Sequence, residues 1–204
     1  MLIIHKNTIF SRIITQKKDY FCKNFSTMRK LTMPELNRLN VTDYHGVKKL
    51  PVIIVLDNVR SMENVGAFFR TADAFRIEAI YLCGITARPP HREIHKTALG
   101  ADESVDWMYF GTTTEACEHL ISIGYKIFAV EQVENSIKLD DFTPIEKSAY
   151  VFGNEVEGVD DAVLPYCEQA VEIPQEGTKH SLNVSVSGGI IMYHLFNSLK
   201  KFLQ

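Results

Sequence analysis

The chain has 204 residues, of which 46% are hydrophobic, and this is enough apolar material for the core of about one domain. No segment approaches the ~20 apolar residues of a membrane-spanning helix, so we expect no membrane partner. The four cysteines form no C-x-x-C pair, which is typical of reduced cytosolic thiols and disfavours a disulfide framework or a zinc site. They are Cys22, Cys83, Cys117 and Cys167.

Charge is unevenly distributed along the chain. The net charge is −3, but residues 1–27 contain five basic residues and a single acid, Asp19, so the remainder carries a net charge of −7. An acidic body steers RNA poorly, so an RNA partner would have to meet a local basic cleft. Two interpretations of residues 1–27 compete: a targeting segment or arm, and an upstream extension produced by a misassigned start codon. We favour the misassigned start codon. In each case we expect them to be poorly ordered.

From residue 51 onward, short apolar strands alternate with helices. This alternation predicts an α/β domain with a parallel sheet over residues 51–204, preceded by a short helical lead-in at residues 28–50. The predicted strands are residues 52–57, 79–83, 104–109, 126–131, 149–153 and 170–173. The predicted helices are residues 64–75, 94–99, 112–123, 162–167 and 187–202.

The densest group of polar side chains lies between a glycine-containing loop and the last predicted helix. Residues 173–189 read I-P-Q-E-G-T-K-H-S-L-N-V-S-V-S-G-G. Ser and Asn favour helix N-caps and turns, but one cap needs only one of them. Four such residues alternate here with apolar ones, which indicates a polar functional site at this junction. They are Ser181, Asn183, Ser185 and Ser187.

Two further segments combine glycine, asparagine and charged residues after predicted strands. They are L-D-N-V-R-S-M-E-N-V-G-A-F-F-R-T-A-D-A at residues 56–74 and Y-V-F-G-N-E-V-E-G-V at residues 150–159. Taken in chain order, residues 56–74, 150–159 and 173–189 resemble the three motifs of the SpoU family of RNA ribose 2'-O-methyltransferases, part of the SPOUT class. The resemblance covers residues 50–200 or so. Three motifs in order at domain-sized spacing are far more specific than any one of them.

The resemblance implies a parallel-sheet SPOUT methyltransferase domain with a C-terminal trefoil knot, a topology that composition and periodicity cannot show. It also implies S-adenosyl-L-methionine as cofactor, RNA as substrate, and a homodimer that builds its site at a two-fold interface. We expect transfer RNA rather than ribosomal RNA, because no additional RNA-binding domain is recognisable in the sequence.

The same resemblance implies the site residues. The catalytic set is Arg70, Asn64, Glu155, Ser181 and Asn183. A guanidinium stays protonated, so Arg70 would bind the phosphate beside the target ribose and stabilise the developing alkoxide, unless it merely pairs with Asp73 on the surface. Glu155 would order its loop or interact with Arg70 when RNA is absent.

The expected cofactor-binding residues include glycines, because glycine lets the backbone approach a ligand closely. The resemblance implies Gly153, Ile173 and Leu182, and the predicted turns add Gly158 and Gly177.

Other interpretations stay open at this point. One is a non-catalytic RNA-binding or assembly factor on the same fold, and another is a SPOUT enzyme that methylates a base nitrogen. A nicotinamide enzyme is disfavoured because G-x-G-x-x-G is absent. The pair His91 and His95 has helical spacing but lacks the zinc-protease order H-E-x-x-H, so we predict a surface loop leading into a helix, and no metal.

Overall fold

The computed structural model describes residues 29–204, so the prediction made for residues 1–27 lies outside the described residues. The described residues fall into two units, residues 29–39 and the compact unit Asn40–Gln204. Within residues 29–39, Pro34 begins a 3₁₀ turn (Pro34–Leu36), and Glu35 in this turn pairs with Arg29 at 2.6 Å. No helix among residues 29–204 has the length and apolarity to cross a membrane.

The second unit is built on a seven-stranded sheet in which neighbouring strands are parallel. The strands are β1 (Leu50–Asp57), β2 (Ile77–Cys83), β3 (Asp106–Phe110), β4 (Lys126–Val130), β5 (Ile137–Lys138), β6 (Ser148–Phe152) and β7 (Gln169–Glu172). Their order across the sheet is β3-β2-β1-β6-β4-β7-β5. The predicted α/β fold with a parallel sheet is confirmed, and the knot stays a prediction.

Helices connect these strands, and all but one of the described α-helices begin at a side-chain cap. The helices are α1 (Val41–Gly46), α2 (Met62–Ala74), α3 (Arg92–Ala98), α4 (Ala101–Ser104), α5 (Thr113–Ser122) and α6 (Val184–Leu199), with 3₁₀ turns at Leu139–Asp141, Leu164–Tyr166 and Lys200–Leu203. Thr112 and Glu115 form a capping box at the start of α5. Asn183 caps α6, which therefore starts three residues before the predicted position.

Three local features differ from the prediction. The strand β5 was not predicted, because two residues at a sheet edge carry no periodic signal. The strand β3 begins later than predicted because α4 occupies the preceding residues. The segment predicted as a helix at residues 162–167 is a 3₁₀ turn, since Pro165 has no N–H for an α-helical hydrogen bond.

The core lies on both faces of the sheet, and β1 is buried on both. Ile54 and Leu56 face the helices α2 and α6, whereas Ile53 and Val55 face the side covered by α5. A central strand covered on both faces explains why the β1 sequence is an unbroken apolar run. Cys83 and Cys117 are free thiols buried on the face of the sheet that α5 covers, as packing residues should be.

Parallel strands place all their carboxyl ends at one edge of the sheet. The first two motifs follow β1 and β6, and the polar run follows β7, so all three meet at this edge. In open α/β sheets, ligands bind beyond the carboxyl ends of the strands.

Candidate functional site

The Glu155 carboxylate joins two of these loops. Its Oε1 accepts hydrogen bonds from Asn64 Nδ2 at 2.9 Å and from the Ser61 backbone N–H at 3.0 Å, and its Oε2 accepts from the Arg60 N–H at 2.9 Å. Ser61 caps α2 through a hydrogen bond from Asn64 N to its Oγ at 3.2 Å. Glu155 therefore holds the first turn of α2 against the loop after β6, where a negative charge also suits the helix dipole.

These hydrogen bonds decide the ionisation of Glu155. Partial burial alone would raise the pKa of this carboxyl, but the hydrogen bonds from Arg60, Ser61 and Asn64 outweigh burial and lower the pKa below its ordinary value. Glu155 is therefore a carboxylate at neutral pH, suited to accepting hydrogen bonds.

Asn64 also reaches the polar run before α6. Its Oδ1 accepts from Asn183 Nδ2 at 3.2 Å, while Asn183 Oδ1 caps α6 by accepting from the backbone N–H groups of Ser185 and Val186. The Ser185 hydroxyl lies 2.7 Å from Asn183 Oδ1 and 3.2 Å from Asn64 Oδ1. A hydroxyl has one proton, so Ser185 can donate fully to only one of them. Asn64, only 9% exposed, thus joins all three segments.

The loop after β6 makes a tight turn closed by two glycines. Asn154 and Gly158 exchange backbone hydrogen bonds of 2.9 Å in both directions. A Cβ added to Gly153 would overlap the carbonyl carbon of Gly158 and the Val159 nitrogen. Gly158 has φ +74°, and a Cβ there would overlap the Glu131 carboxylate. Both glycines are required by close backbone approach or by a left-handed conformation.

This loop forms one wall of a cavity of about 740 Å³, a volume typical of small-molecule sites. The polar run before α6 and the ends of β4 and β7 form the other walls. Five carboxylates line the cavity, and none of the described lining residues is Lys or Arg. They are Glu131, Glu155, Glu157, Asp161 and Glu172. Such a lining favours a cationic ligand and disfavours one that carries phosphates.

The structure brings most of the predicted site residues to this cavity. Among the lining residues are four of the five predicted cofactor-binding positions and three of the five predicted catalytic ones. They are Gly153, Gly158, Ile173, Leu182, Glu155, Ser181 and Asn183. Asn64 is bonded to two of them but does not itself line the cavity.

Gly177 and Arg70 lie elsewhere. Gly177 does not line the cavity, and a Cβ added to it meets nothing within 4 Å. Arg70 is exposed on α2 and has no acidic partner within 4.0 Å among residues 29–204. The alternative ion pair with Asp73 is therefore absent; Asp73 instead accepts a hydrogen bond from Ser104 Oγ at 2.7 Å. Glu155 orders its loop and does not contact Arg70.

Sequence reasoning assigned no role to several residues that shape the site. Ser185 was singled out only as a member of the polar run, and that membership was the available signal; the structure places it within hydrogen-bond distance of Asn183. Glu131 accepts from Val159 N at 3.1 Å and so supports the glycine turn, but nothing in its local sequence marks it. Asp57, which ends β1 and is 1% exposed, accepts from Asp160 N at 2.9 Å and from the Thr113 hydroxyl.

The histidine pair has structural partners. His91 caps α3 by accepting from Glu93 N, and His95 Nδ1 lies 3.1 Å from Asp102 Oδ1. The predicted loop leading into a helix is confirmed. Within residues 29–204 no group of three or more His, Cys, Asp or Glu side chains is arranged to hold a metal ion.

Comparison with known proteins gives matches over most of the chain. Residues 51–193 match the sequence model of the SpoU rRNA Methylase family. The chain is 29% identical over 195 residues to the 23S rRNA (guanosine-2'-O-)-methyltransferase RlmB of Nitrosomonas europaea, covering 93% of this chain and 75% of that protein.

Solved structures share the fold. The TrmH/SpoU tRNA modifying enzyme of A. aeolicus superposes with a TM-score of 0.70 at 23% identity, covering 79% of this chain and 83% of that one. An AdoMet-bound rRNA methyltransferase from Sinorhizobium meliloti superposes with a TM-score of 0.69 at 23% identity. The match covers 80% of this chain and 62% of that one.

Proposed function

The chain belongs to the SpoU rRNA methylase family, and from this premise we propose that it methylates a ribose 2'-hydroxyl in structured RNA with S-adenosylmethionine. The observation that carries the proposal is the hydrogen-bonded connection of Asn64, Glu155 and Asn183 beside the glycine-walled cavity. Residues from three distant segments meet there, and they are among the residues that the resemblance to the family motifs implies.

The cavity fits the proposed cofactor. Gly153 and Gly158 form a backbone wall that side chains would fill, and Ile173 and Leu182 add apolar surface for an adenine. S-adenosylmethionine supplies a methyl group on a cationic sulfonium, and a cavity lined by carboxylates suits a positive charge better than the phosphates of a dinucleotide. The AdoMet-bound relative of the same fold is consistent with this assignment.

The reaction requires that the 2'-oxygen lose its proton as it gains the methyl group. In this proposal, Asn64, Ser181 and Asn183 orient the ribose, and Glu155 keeps Asn64 in position. Arg70 binds the adjacent RNA phosphate and stabilises the negative charge that develops on the oxygen. Since Arg70 cannot accept a proton at neutral pH, the phosphate or a water molecule takes it.

A homodimer would bring Arg70 to the cavity, which it does not line within one chain. Helix α6 exposes a stripe of Val186, Ile190 and Tyr193, which are 51%, 37% and 56% exposed and share one face of the helix. Tyr193 packs on Phe75 at the end of α2, so this stripe adjoins the helix that carries Arg70. We propose that two copies associate through this surface and that each supplies Arg70 to the other's cavity.

The first experiment measures tritium transfer from labelled S-adenosylmethionine to total transfer RNA and, separately, to ribosomal RNA, with wild type and Arg70→Ala. The relatives carry names of both RNA classes, and we expect label in transfer RNA. Digestion should then yield 2'-O-methylnucleosides. Label on a base would favour the base-nitrogen alternative, and a chain that binds no S-adenosylmethionine would favour the non-catalytic one.

The shared site is tested by mixing two inactive variants, Arg70→Ala and Asn183→Ala. If Arg70 acts in the partner's cavity, random mixed dimers contain one intact site, and activity returns to about a quarter of wild type. If Arg70 acts in its own subunit's cavity, mixed dimers contain no intact site and stay inactive.

A further inference from the structure

A basic segment follows β2 in this acidic body. Residues 84–98 contain three basic residues, Arg88, Arg92 and Lys96, and one acid, Glu93. Arg92 and Lys96 each lie 3.8 Å from that same carboxylate, with their side chains 92% and 76% exposed. One carboxylate cannot neutralise both, so the segment keeps a local positive charge where RNA phosphates could bind.

Arg88 lies over an aromatic ring of the edge strand β3 and makes a cation–π contact with it. Its guanidinium carbon lies 4.3 Å from the centroid of the Tyr109 ring at the end of β3. The Tyr109 hydroxyl donates to the Gly84 carbonyl at 3.0 Å, which fixes the ring, and Tyr109 remains 40% exposed. Arg88 and Tyr109 are both exposed, and Ile85 in the same loop as Arg88 is 66% exposed. A guanidinium over an exposed tyrosine ring offers planar groups of the kind on which unpaired bases stack.

Hydrogen bonds tie this stack to the candidate site. Ile85 N donates to Asn58 Oδ1 at 3.1 Å, and Val59 N donates to Thr86 Oγ1 at 2.9 Å. Asn154 Nδ2 in the glycine turn donates to the Asn58 carbonyl at 2.9 Å. The loop after β2 is therefore bonded to the loop that carries Arg60 and Ser61, the backbone donors to Glu155. The Arg88–Tyr109 contact and the cavity both lie at the carboxyl ends of the strands.

We propose that Arg88 and Tyr109 form a stacking site for an unpaired base of the RNA substrate, with Arg92 and Lys96 contacting the neighbouring phosphates. This inference rests on the proposed function, since it assigns an RNA contact to an RNA methyltransferase. The base stacks on the open face of the Arg88 guanidinium and extends the Tyr109–Arg88 pair by one layer. Stacking has little sequence preference, so the site selects an unpaired nucleotide rather than a particular base.

The experiment measures RNA binding, which does not depend on turnover. Fluorescence anisotropy with a labelled hairpin RNA that has an unpaired loop, and with a blunt RNA duplex, is compared for wild type, Arg88→Ala, Tyr109→Ala and Arg88→Lys. We expect both alanine variants to weaken hairpin binding about fivefold or more while changing duplex binding far less. Arg88→Lys keeps the charge but loses the plane, so it should also weaken hairpin binding.

The matched control is Lys138→Ala. It removes an exposed cation from β5, which is the outer strand on the side of the sheet away from β3. It should bind both RNAs as wild type does. Calorimetric affinity for S-adenosylmethionine and the thermal midpoint should be unchanged in all variants, which excludes misfolding as the cause of weaker RNA binding.

Several outcomes overturn the inference. Equal weakening of hairpin and duplex would mean a phosphate contact without stacking, and unchanged binding in both alanine variants would remove the site altogether. A Tyr109→Ala protein that changes from dimer to monomer would make this surface a contact between copies. Wild type that binds neither RNA also overturns it. Wild type that binds the hairpin but transfers no methyl to any RNA contradicts the proposed function alone.

Discussion

Asn64 and Glu155 are 91 positions apart in the chain, yet Asn64 Nδ2 donates to Glu155 Oε1 at 2.9 Å. This hydrogen bond orients the Asn64 amide so that its Oδ1 faces Asn183 and accepts from Asn183 Nδ2 at 3.2 Å. One carboxylate thereby orients the amides that we assign to ribose positioning, without itself touching the ribose. A site arranged before substrate arrives loses less free energy in orienting groups during the reaction.

Replacing Glu155 with Gln should lower both stability and activity. A carboxamide has one accepting oxygen, whereas the carboxylate satisfies three donors, so at least one backbone N–H faces an NH₂ group. We expect the free energy of unfolding to fall by about 1–2 kcal/mol and kcat by about tenfold, with a smaller change in the KM for S-adenosylmethionine. Denaturant unfolding and steady-state kinetics measure both. Wild-type kcat in a correctly folded Glu155→Gln protein would remove Glu155 from the positioning role.

The low pKa of Glu155 predicts a pH dependence of stability. A carboxyl whose folded pKa lies below its ordinary value of 4.5 stabilises the fold fully above that pH and loses this contribution as the pH falls through the folded pKa. The difference in thermal midpoint between wild type and Glu155→Gln should therefore be large at pH 7 and shrink toward pH 3. A difference that stays constant over this range would show that the hydrogen bonds do not depend on the charge.

Gly153→Ala should abolish cofactor binding, whereas Gly177→Ala should not. A Cβ at position 153 overlaps the backbone of Gly158, so the wall of the cavity must move, but a Cβ at position 177 meets nothing within 4 Å. We expect at least a tenfold weaker affinity for S-adenosylmethionine in the first variant and less than a twofold change in the second. Calorimetric titration measures both. Loss of binding in Gly177→Ala would restore the cofactor role that the predicted turn gave to Gly177.

Arg70→Lys should retain the fold and lose most of the activity. The Arg70 side chain is exposed, so its replacement costs little stability. A lysine ammonium, however, lacks the planar guanidinium that binds a phosphate through two parallel hydrogen bonds. We expect kcat/KM for RNA to fall about a hundredfold, with unchanged S-adenosylmethionine affinity. Turnover near that of wild type would refute the assigned role.

Ser185→Ala should slow methyl transfer modestly. The hydroxyl lies within hydrogen-bond distance of both Asn64 and Asn183, so its removal loosens two amides that we place beside the ribose. The loss of one neutral hydrogen bond corresponds to about a fivefold fall in kcat. Ser198→Ala, in the last turn of the same helix and exposed, is the matched control and should leave kcat unchanged. Equal effects in the two variants would indicate a general effect on α6.

Much of the fold was predictable because its signals are local. The strand β1 is an unbroken β-branched run, and such a run indicates a strand buried on both faces. The 3₁₀ turn at Leu164–Tyr166 and the two-residue β5 were not predictable with the same certainty, because short elements depend on neighbours that are distant in sequence. The resemblance to the family motifs predicted Asn64, Glu155 and Asn183, which the structure connects by hydrogen bonds. Glu131 has no local signal and supports the site through its hydrogen bond from Val159 N.

The sequence by itself determined most of the strands and helices, the family, and the identity of most of the polar residues that meet at the cavity. Propensity, apolar periodicity and motif spacing carry that information within short windows of chain. Only the tertiary structure decided that Asn64 connects the three segments, that Gly177 lies off the cavity, and that Arg70 stands apart from the site within its own chain. Those relationships depend on distances between residues about 100 positions apart, and these distances exist only once the parallel strands pack and align their carboxyl ends.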